Sequence, residues 1–586
     1  MGVGDEIDDF LLVDGLGEGA FAKVYLAHQK SLRRTVALKV STARSEEAQT
    51  LAQLDHPNIV RVFDQRDVAD GDLHLLYMEY VPGGTLEAVV ERVRALPDAA
   101  RSGKLLLEVI DAALAARGAE PPLDSLLRLK LDRASWVEAV CLLGSHLAVA
   151  LEYAHAHNVL HRDVKPANVL LAENGRAKLA DFNISWSSDV GDEGAEAYMG
   201  GSLPYMSPEQ LAACSPFEEA TAQDLDRRSD IYGLGVVLWE LLTGELPFPE
   251  PAEGLGWKEL FEHLTDTRAA GVPAETVAAL PASVPPLVTD TLLACLAPER
   301  DARPATGTDL ARRLELCLDP RVRALLTPAT RGPATWLRRF PILTLMLVGL
   351  VPNALLSVLA IVYNQAAVLA GATDAQLASF DQHLLVINGL VFPVGIALMI
   401  WMTWPIQRAV RARERGERGT AQERSAARKW ALRLGGGLAA VILPLWVIGG
   451  LAFPIWSEAQ GEEASAAHYF HFTLSNGLFG LLSATVCFFL INFLIVRVLF
   501  PRLVEPGDVD EARVTQIDRL LGRIPYYFAA CTSVPLVSVI VLGLWPGALR
   551  QAFLVLGLLG GAAFALSFRL STVIRADLLA LRKALH

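Results

Sequence analysis

The chain has 586 residues, 52% of them hydrophobic, and its 65 Asp and Glu against 52 Lys and Arg leave a formal net charge of −13. That length exceeds one ordinary domain, and the acidic balance, with no nucleic-acid signature, excludes an electrostatic nucleic-acid binder. Cys141, Cys214, Cys295, Cys317, Cys487 and Cys531 show no paired metal-ligand spacing, so reduced thiols are expected.

The N-terminus, Met1 to Asp9, is acidic and has no apolar core, so no signal peptide is expected there. Phe10-Leu11-Leu12-Val13 reads as a strand, followed by Gly17-Glu18-Gly19-Ala20-Phe21-Ala22-Lys23-Val24. Glycines here let backbone N–H groups approach phosphate oxygens without a Cβ in the way; an ordinary hairpin turn is the competing reading. Val36-Ala37-Leu38-Lys39-Val40 reads as the next strand, with Lys39 either in water or against an anion. In the helix that follows, the spacing puts Glu47, Leu51 and Leu54 on one face, with Glu46 about 100° further round. Leu75 to Tyr80 is an apolar strand ended by the turn Pro82-Gly83-Gly84. Residues 96–131 carry helix-compatible apolar periodicity, in Leu105-Leu106-Leu107 and Val109-Ile110, and then Pro121-Pro122.

The run His161-Arg162-Asp163-Val164-Lys165-Pro166-Ala167-Asn168 places a proton acceptor, a phosphate contact and a metal ligand on one short loop. Asp181-Phe182, 13 residues after Asn168, supplies a second metal ligand. In this order the segments resemble those of the protein kinases, with H-R-D-x-x-x-x-N followed by D-F-G. Lys165-Pro166 is similar to the serine/threonine branch, in its bacterial eukaryotic-like (Hanks-type) form.

The resemblance covers about residues 8–316. It implies an α+β, two-lobed fold: a small lobe at about 8–80 and a large lobe at about 81–316, with a helical insertion at about 96–131. It implies ATP binding by Leu16, Gly17, Glu18, Gly19, Ala20, Phe21, Ala22, Val24, Ala37, Lys39, Met78, Glu79 and Val81. Lys39 would hold the α- and β-phosphates and pair with Glu47. Met78 would be the gatekeeper, and the backbone of Glu79 and Val81 would bind the adenine edge. Asp163 would take or orient the substrate hydroxyl proton, Lys165 would neutralise the γ-phosphate, and Asn168 and Asp181 would hold Mg2+, with Mn2+ as the alternative. Arg162 marks the class whose activation loop is ordered by phosphorylation. Ser202 resembles the residue that contacts Asp163 and Lys165. Asp230 would brace the catalytic loop, and Arg303 would pair with Glu209.

Three positions depart from the family pattern. Asn183 stands where the glycine of D-F-G is expected; Asn tolerates left-handed dihedrals best among non-glycine residues. Ser207 replaces the alanine of A-P-E, and Ala22 replaces a glycine. Lys39, Asp163 and Asp181 are all present, which argues for catalysis and against a nucleotide-binding pseudokinase. The segment from Asp181 to Glu209 has no threonine; its hydroxyls include Ser185, Ser187, Ser188, Ser202 and Tyr198. Asp189, Asp192, Glu193 and Glu196 make it acidic.

Composition changes near residue 336. From Trp336 onward 21 Lys and Arg face 14 Asp and Glu, whereas residues 1–335 carry 31 against 51. A linker at 317–339, with Pro320, Pro328 and Pro333, leads into six apolar runs at roughly 340–363, 384–405, 434–456, 472–500, 526–546 and 550–570, each near the ~20 residues needed to span a bilayer. The stretch 406–433 is rich in Arg, and Arg502, Arg513, Arg519, Arg523, Arg575, Arg582 and Lys583 lie on the same side, whereas 364–383 and 457–471 have no Lys or Arg. This asymmetry places the kinase and both termini, including a tail at 571–586, in the cytoplasm of an inner-membrane protein. Asn388-Gly389-Leu390 and Asn476-Gly477-Leu478 open two helices alike, with Pro405 and Pro501 expected at their ends. Asn353, Asn388, Asn476 and Asn492 within the spans either pack helices or line a site.

The expectation is a membrane-anchored serine/threonine kinase with protein substrates, a bilayer around its second half, and room for a homodimer. A pseudokinase scaffold and a transporter or receptor with a regulatory kinase domain are the alternatives.

Overall fold

The computed structural model describes residues 2–18, 22–42, 51–68, 73–122, 124–182, 201–215, 220–249, 255–326, 340–367, 374–414, 421–461, 465–500, 511–544 and 548–585. Contacts divide the chain into two units, Met1–Arg323 and Ala324–His586.

The first unit opens with six antiparallel strands: β1 (Glu6–Ile7), β2 (Phe10–Glu18), β3 (Ala22–Gln29), β4 (Arg34–Ser41), β5 (Val62–Val68) and β6 (Leu73–Glu79). They lie in the order β1-β2-β3-β4-β6-β5. Alternate residues fill one face: Phe10 and Leu12, Tyr25 and Ala27, Val36, Leu38 and Val40, Leu75 and Tyr77 form a single buried cluster. The period of two therefore turns Ala37 and Lys39 to the opposite face.

Helices dominate the rest of the unit: α1 (Leu86–Arg94), α2 (Lys104–Ala115), α3 (Leu126–Arg133), α4 (Trp136–Ala156), α5 (Pro208–Cys214), α6 (Arg227–Thr243), α7 (Trp257–Ala270), α8 (Ala274–Ala278), α9 (Pro286–Cys295), α10 (Gly307–Leu318) and α11 (Pro320–Leu326). A short hairpin of β7 (Val169–Leu171) and β8 (Ala177–Leu179) sits between α4 and α5. Local chemistry starts the long helices. Ser135 and Glu138 form a capping box at α4, and Asp226 caps α6, which ends at Gly244 with φ 85°. Ser207, which the sequence shows only as a mild departure, caps α5 ahead of Pro208.

The 96–131 stretch is built into the lobe. Leu105, Leu106, Ile110 and Leu114 of α2 are buried. Arg128 of α3 grips Asp111 with two bonds of 2.7 and 2.9 Å and donates to the Glu173 carbonyl at 3.0 Å. The Ser125 hydroxyl donates to the Asn174 carbonyl at 2.8 Å. The insertion thus fastens the β7–β8 turn.

The second unit holds α12 (Pro341–Ala367), α13 (Asp374–Glu414), α14 (Ala421–Ala459), α15 (Ala466–Leu494), α16 (Glu511–Leu544) and α17 (Ala548–Leu585). All six are long and apolar enough to cross a membrane. In α15, 78% of the apolar window is buried, against 11–28% in the other five, so α15 is the centre of this unit. The outer faces carry Leu355, Leu385, Trp401 and Leu558 exposed, the inverse of a water-soluble bundle. The helix α4 passes the same length and composition test, yet 72% of its window is buried within the first unit.

One expectation changes. The helix α13 does not end at Pro405 but continues to Glu414; one proline removes one backbone bond and bends a helix whose remaining bonds persist. The Arg-rich stretch 406–433 is helical on both sides of 415–420. Pro501 lies outside the described residues, and a π-helical turn, Ile495–Leu499, follows α15.

Gly83 is sterically required. A Cβ there would stand 2.5 Å from the Leu171 carbonyl oxygen, because the Gly83 N–H donates to that oxygen at 2.8 Å. Gly83→Ala is expected to destabilise the first unit by about 1–3 kcal/mol, read as a lower urea midpoint of the full chain; an unchanged midpoint would contradict the contact.

Candidate active site

The cleft is assembled from four segments distant in sequence. From the sheet comes β4, where register pairs Val24 with Lys39, Met78 with Ala37 and Glu79 with Val36. Gly17 and Glu18 of β2 pair with Val24 and Lys23, and Leu16 lies on the same strand. Ala22 opens β3. Gly19, Ala20, Phe21 and Glu47 lie outside the described residues, as do 183–200 of the activation segment with Asn183 and Ser185. Val81 has left the ladder, and among the described residues neither its N–H nor its C=O has a protein partner. The Glu79 carboxylate is held by Lys178 at 2.7 and 2.8 Å.

The catalytic-loop candidates converge on Asp163. Lys165 Nζ stands 2.9 Å from its carboxylate and donates to Ser202 Oγ at 2.8 Å. Asn168 Nδ2 donates to the Asp163 carbonyl at 2.9 Å and to its carboxylate at 2.8 Å. Across the cleft Lys39 Nζ reaches Asp181 at 3.3 Å. Three side-chain oxygens or oxygen pairs, on Asp163, Asn168 and Asp181, are therefore gathered beside two ammonium groups. Among the described residues no group of three or more His, Cys, Asp and Glu could hold a metal alone. A hard cation here would draw on Asn168, Asp181 and oxygens brought by a ligand, as Mg2+ commonly does.

What holds this loop is Asp230 of α6, 1% exposed. One carboxylate oxygen accepts from the His161 amide at 2.9 Å and faces His155 Nε2 at 2.7 Å; the other accepts from the Arg162 amide at 2.8 Å. Arg162 is left-handed, φ 63°, a conformation that disfavours any residue with a Cβ. Its carbonyl is fixed by Gln210 Nε2 at 2.8 Å, so both ends of the strained residue are tied. Burial by itself would raise the Asp230 pKa, but the His155 hydrogen bond, the His155 and His161 charges and the His161 amide outweigh it and hold the carboxyl below its ordinary value. His161 is pushed down by burial, and its ring packs 4.4 Å from Phe182.

Arg303 and Glu209 meet, with bonds of 2.6 and 2.9 Å. The guanidinium also donates to the carbonyls of Ala297, Arg228 and Pro298, so a buried cation is saturated. Sequence reasoning missed His155, Gln210, Lys178 and the Arg94–Glu240–Tyr205 bridge of 2.6 and 2.7 Å. Only Gln210, beside Glu209, lay next to a motif that could have signalled it. Burial pushes the half-buried Cys214 thiol and the buried Cys295 thiol up to about 12.

Residues 10–313 match the family model described as protein tyrosine and serine/threonine kinase. The serine/threonine-protein kinase PknB of Mycolicibacterium smegmatis is 33% identical over 256 residues, 41% of this chain and 33% of that protein. A probable serine/threonine-protein kinase of Clostridium perfringens is 31% identical over 248 residues, 40% of this chain and 29% of the relative. One from Streptomyces coelicolor is 33% identical over 250 residues, 40% and 30%. The chain thus spans about a third of the length of these relatives.

Asp230→Asn removes a buried charge from its donors and is expected to cost about 3 kcal/mol at pH 7. Because the folded carboxyl titrates below 3.8, its contribution is complete above about pH 4 and is lost as pH falls further. The gap between wild type and variant in urea unfolding should therefore close below pH 4; a gap constant with pH would refute the assignment.

Proposed function

The chain belongs to the protein kinase family, and on that premise we propose that it is a membrane-anchored serine/threonine kinase that passes the γ-phosphoryl group of ATP to protein hydroxyls, its own included. The observation that carries this reading is the Asp163 carboxylate, bound by Lys165 and Asn168, together with the Lys39–Asp181 pair.

In the proposed reaction Asp163 accepts the proton of the attacking hydroxyl, and Asn168 together with Lys165 fixes the carboxylate that receives it. Lys165 turns its ammonium to the transferring phosphoryl group. Lys39 leaves Asp181 for the α- and β-phosphates and pairs with Glu47. Asn168 and Asp181 hold the divalent cation, Mg2+ or alternatively Mn2+, which neutralises phosphate oxygens when bound. The free N–H and C=O of Val81 match the donor–acceptor edge of adenine, with Met78, Ala37, Val24 and Leu16 as apolar walls and the 17–22 turn over the phosphates. Ser202 orients Lys165, and Arg162 is the partner for a phosphorylated activation segment, in which Ser185, Ser187 and Ser188 are the acceptors.

We assign 1–316 to the kinase domain, 317–339 to a juxtamembrane linker, 340–570 to six membrane spans and 571–586 to a cytoplasmic tail. The apolar outer faces of the second unit support burial in lipid, and the Arg-rich 406–433 supports a cytoplasmic kinase.

Asp163→Asn and Lys39→Met should each lower autophosphorylation by labelled ATP and Mg2+ about 10²–10⁴-fold, with phosphate mapping to serine or threonine in the wild type. A folded, ATP-binding wild type that transfers no phosphate in lipid would sink the catalytic reading. Extraction with alkaline carbonate should leave the full chain in the membrane pellet, and proteases added outside sealed inverted vesicles should remove residues 1–316 while sparing the spans.

A further inference from the structure

The second unit contains a half-open cavity that phosphoryl transfer leaves without a role. It lies between α12, α13 and α14, touches α15, and has a volume of about 120 Å³, close to the roughly 150 Å³ of an engineered apolar cavity that takes up benzene. No charged side chain lines it. Most of its wall is aliphatic or aromatic, yet four asparagines and a serine face it: Asn353, Ser357, Asn364, Asn388 and Asn476.

Some of these polar groups are spent on helix packing. Asn353 accepts from Trp446 Nε1 at 2.9 Å and Ser483 Oγ at 2.7 Å and donates to the Gly349 carbonyl at 2.7 Å. Asn364 donates to Ala360 at 2.8 Å and faces His471 Nε2 at 3.2 Å. Asn492 lies outside the cavity wall and packs against Gly435, where a Cβ would stand 2.2 Å from its amide nitrogen. Asn388 and Ser357 differ. Both are half-buried, and among the described residues neither side chain has a hydrogen-bond partner. Asn476 uses only its NH2, toward Phe472 at 2.9 Å. Unpaired amides and hydroxyls at membrane depth are costly, so their persistence around a cavity points to an occupant.

Two glycines keep the space open. A Cβ on Gly395 would meet Leu445 at 3.6 Å and one on Gly449 would meet Ile387 at 3.9 Å, ordinary contacts. Helix packing therefore does not demand glycine at either position, unlike Gly349, whose Cβ would stand 2.6 Å from Met399 Sδ.

We propose that this cavity is a binding site for an uncharged, lipid-soluble molecule bearing a hydroxyl or carbonyl group, with Asn388 as its hydrogen-bonding residue and Gly395 and Gly449 holding the room for its apolar body. The site rests on the reading of the second unit as bilayer-embedded.

The test uses the full chain in phosphatidylcholine nanodiscs and a diazirine derivative of octanol as probe, with adducts mapped by mass spectrometry. Saturable adducts on the cavity-lining residues of α12–α14, displaced by unlabelled octanol, are expected. Gly395→Leu, which fills the cavity, and Asn388→Leu, which conserves its volume but removes the amide, should each lower adduct yield about tenfold, while Leu385→Ala on the lipid-facing surface leaves it unchanged. Should Gly395→Leu fail to insert, Asn388→Leu decides. Adducts confined to the outer surface, or equal in all variants, would overturn the site. A wild-type chain that does not co-elute with nanodiscs would overturn the membrane reading and the site with it; retention in nanodiscs without saturable labelling would overturn the site alone.

Discussion

A carboxylate buried at the base of the large lobe decides where everything in the cleft stands. Asp230 takes two consecutive backbone amides, those of His161 and Arg162, and so sets the path of the chain immediately before Asp163. Two adjacent N–H groups point at one carboxylate only when the backbone turns sharply, which is why Arg162 sits at positive φ. The strain is local, and its restraints are not: α6 supplies Asp230, the end of α4 supplies His155, and α5 supplies Gln210. Remove the carboxylate and the loop loses the reference against which Asp163, Lys165 and Asn168 are placed.

The same logic runs outward. Arg303 holds Glu209, the residue before Gln210, and thereby holds α5 against the lobe. The 96–131 insertion fastens the β7–β8 turn through Arg128 and Ser125, and that hairpin carries the chain from Asn168 to Asp181. A stretch that reads in the sequence as a helical insertion thus supports the hairpin between both residues assigned to the metal. Charge-assisted bonds to backbone carbonyls suit this task, since they fix position without needing a matching side chain.

The two units distribute their apolar side chains in opposite ways. In the first, apolar faces turn inward, and even α4, apolar enough to resemble a membrane span, is wrapped by protein. In the second, α15 alone is wrapped and the other helices turn apolar residues outward. Several polar groups there are paired across helices, as in the Asn353–Trp446–Ser483 knot and in the 2.7 Å pair of Asp577 with Arg497 of the π-helical turn. Asp577 lies beyond the last apolar run yet is buried, because α17 continues as helix to Leu585.

The order of the parts was legible: the glycine turn, Lys39, the 161–168 loop and Asp181 follow one another as in the protein kinases, and it was that resemblance that implied the roles of Glu209, Asp230 and Arg303. The residues around Lys39 left open whether it lies in water or against an anion, and it is the fold that turns it away from the cluster joined by Val36, Leu38 and Val40; twenty-residue apolar runs pointed to spans, since length is a local property. Partners chosen by three-dimensional proximity were not legible. His155, Gln210 and Lys178 are ordinary polar residues until the fold brings them to Asp230, Arg162 and Glu79. Proline at 405 signalled an end that the helix does not have, because one missing hydrogen bond does not outweigh its neighbours. Which asparagines pack helices and which face open space depended wholly on where α12–α15 meet. Sequence by itself determined the chemistry available and the contrast in apolar patterning between the two halves; only tertiary structure decided which groups are satisfied, because a hydrogen-bond partner is a matter of distance in space and the chain encodes that distance through all its contacts at once.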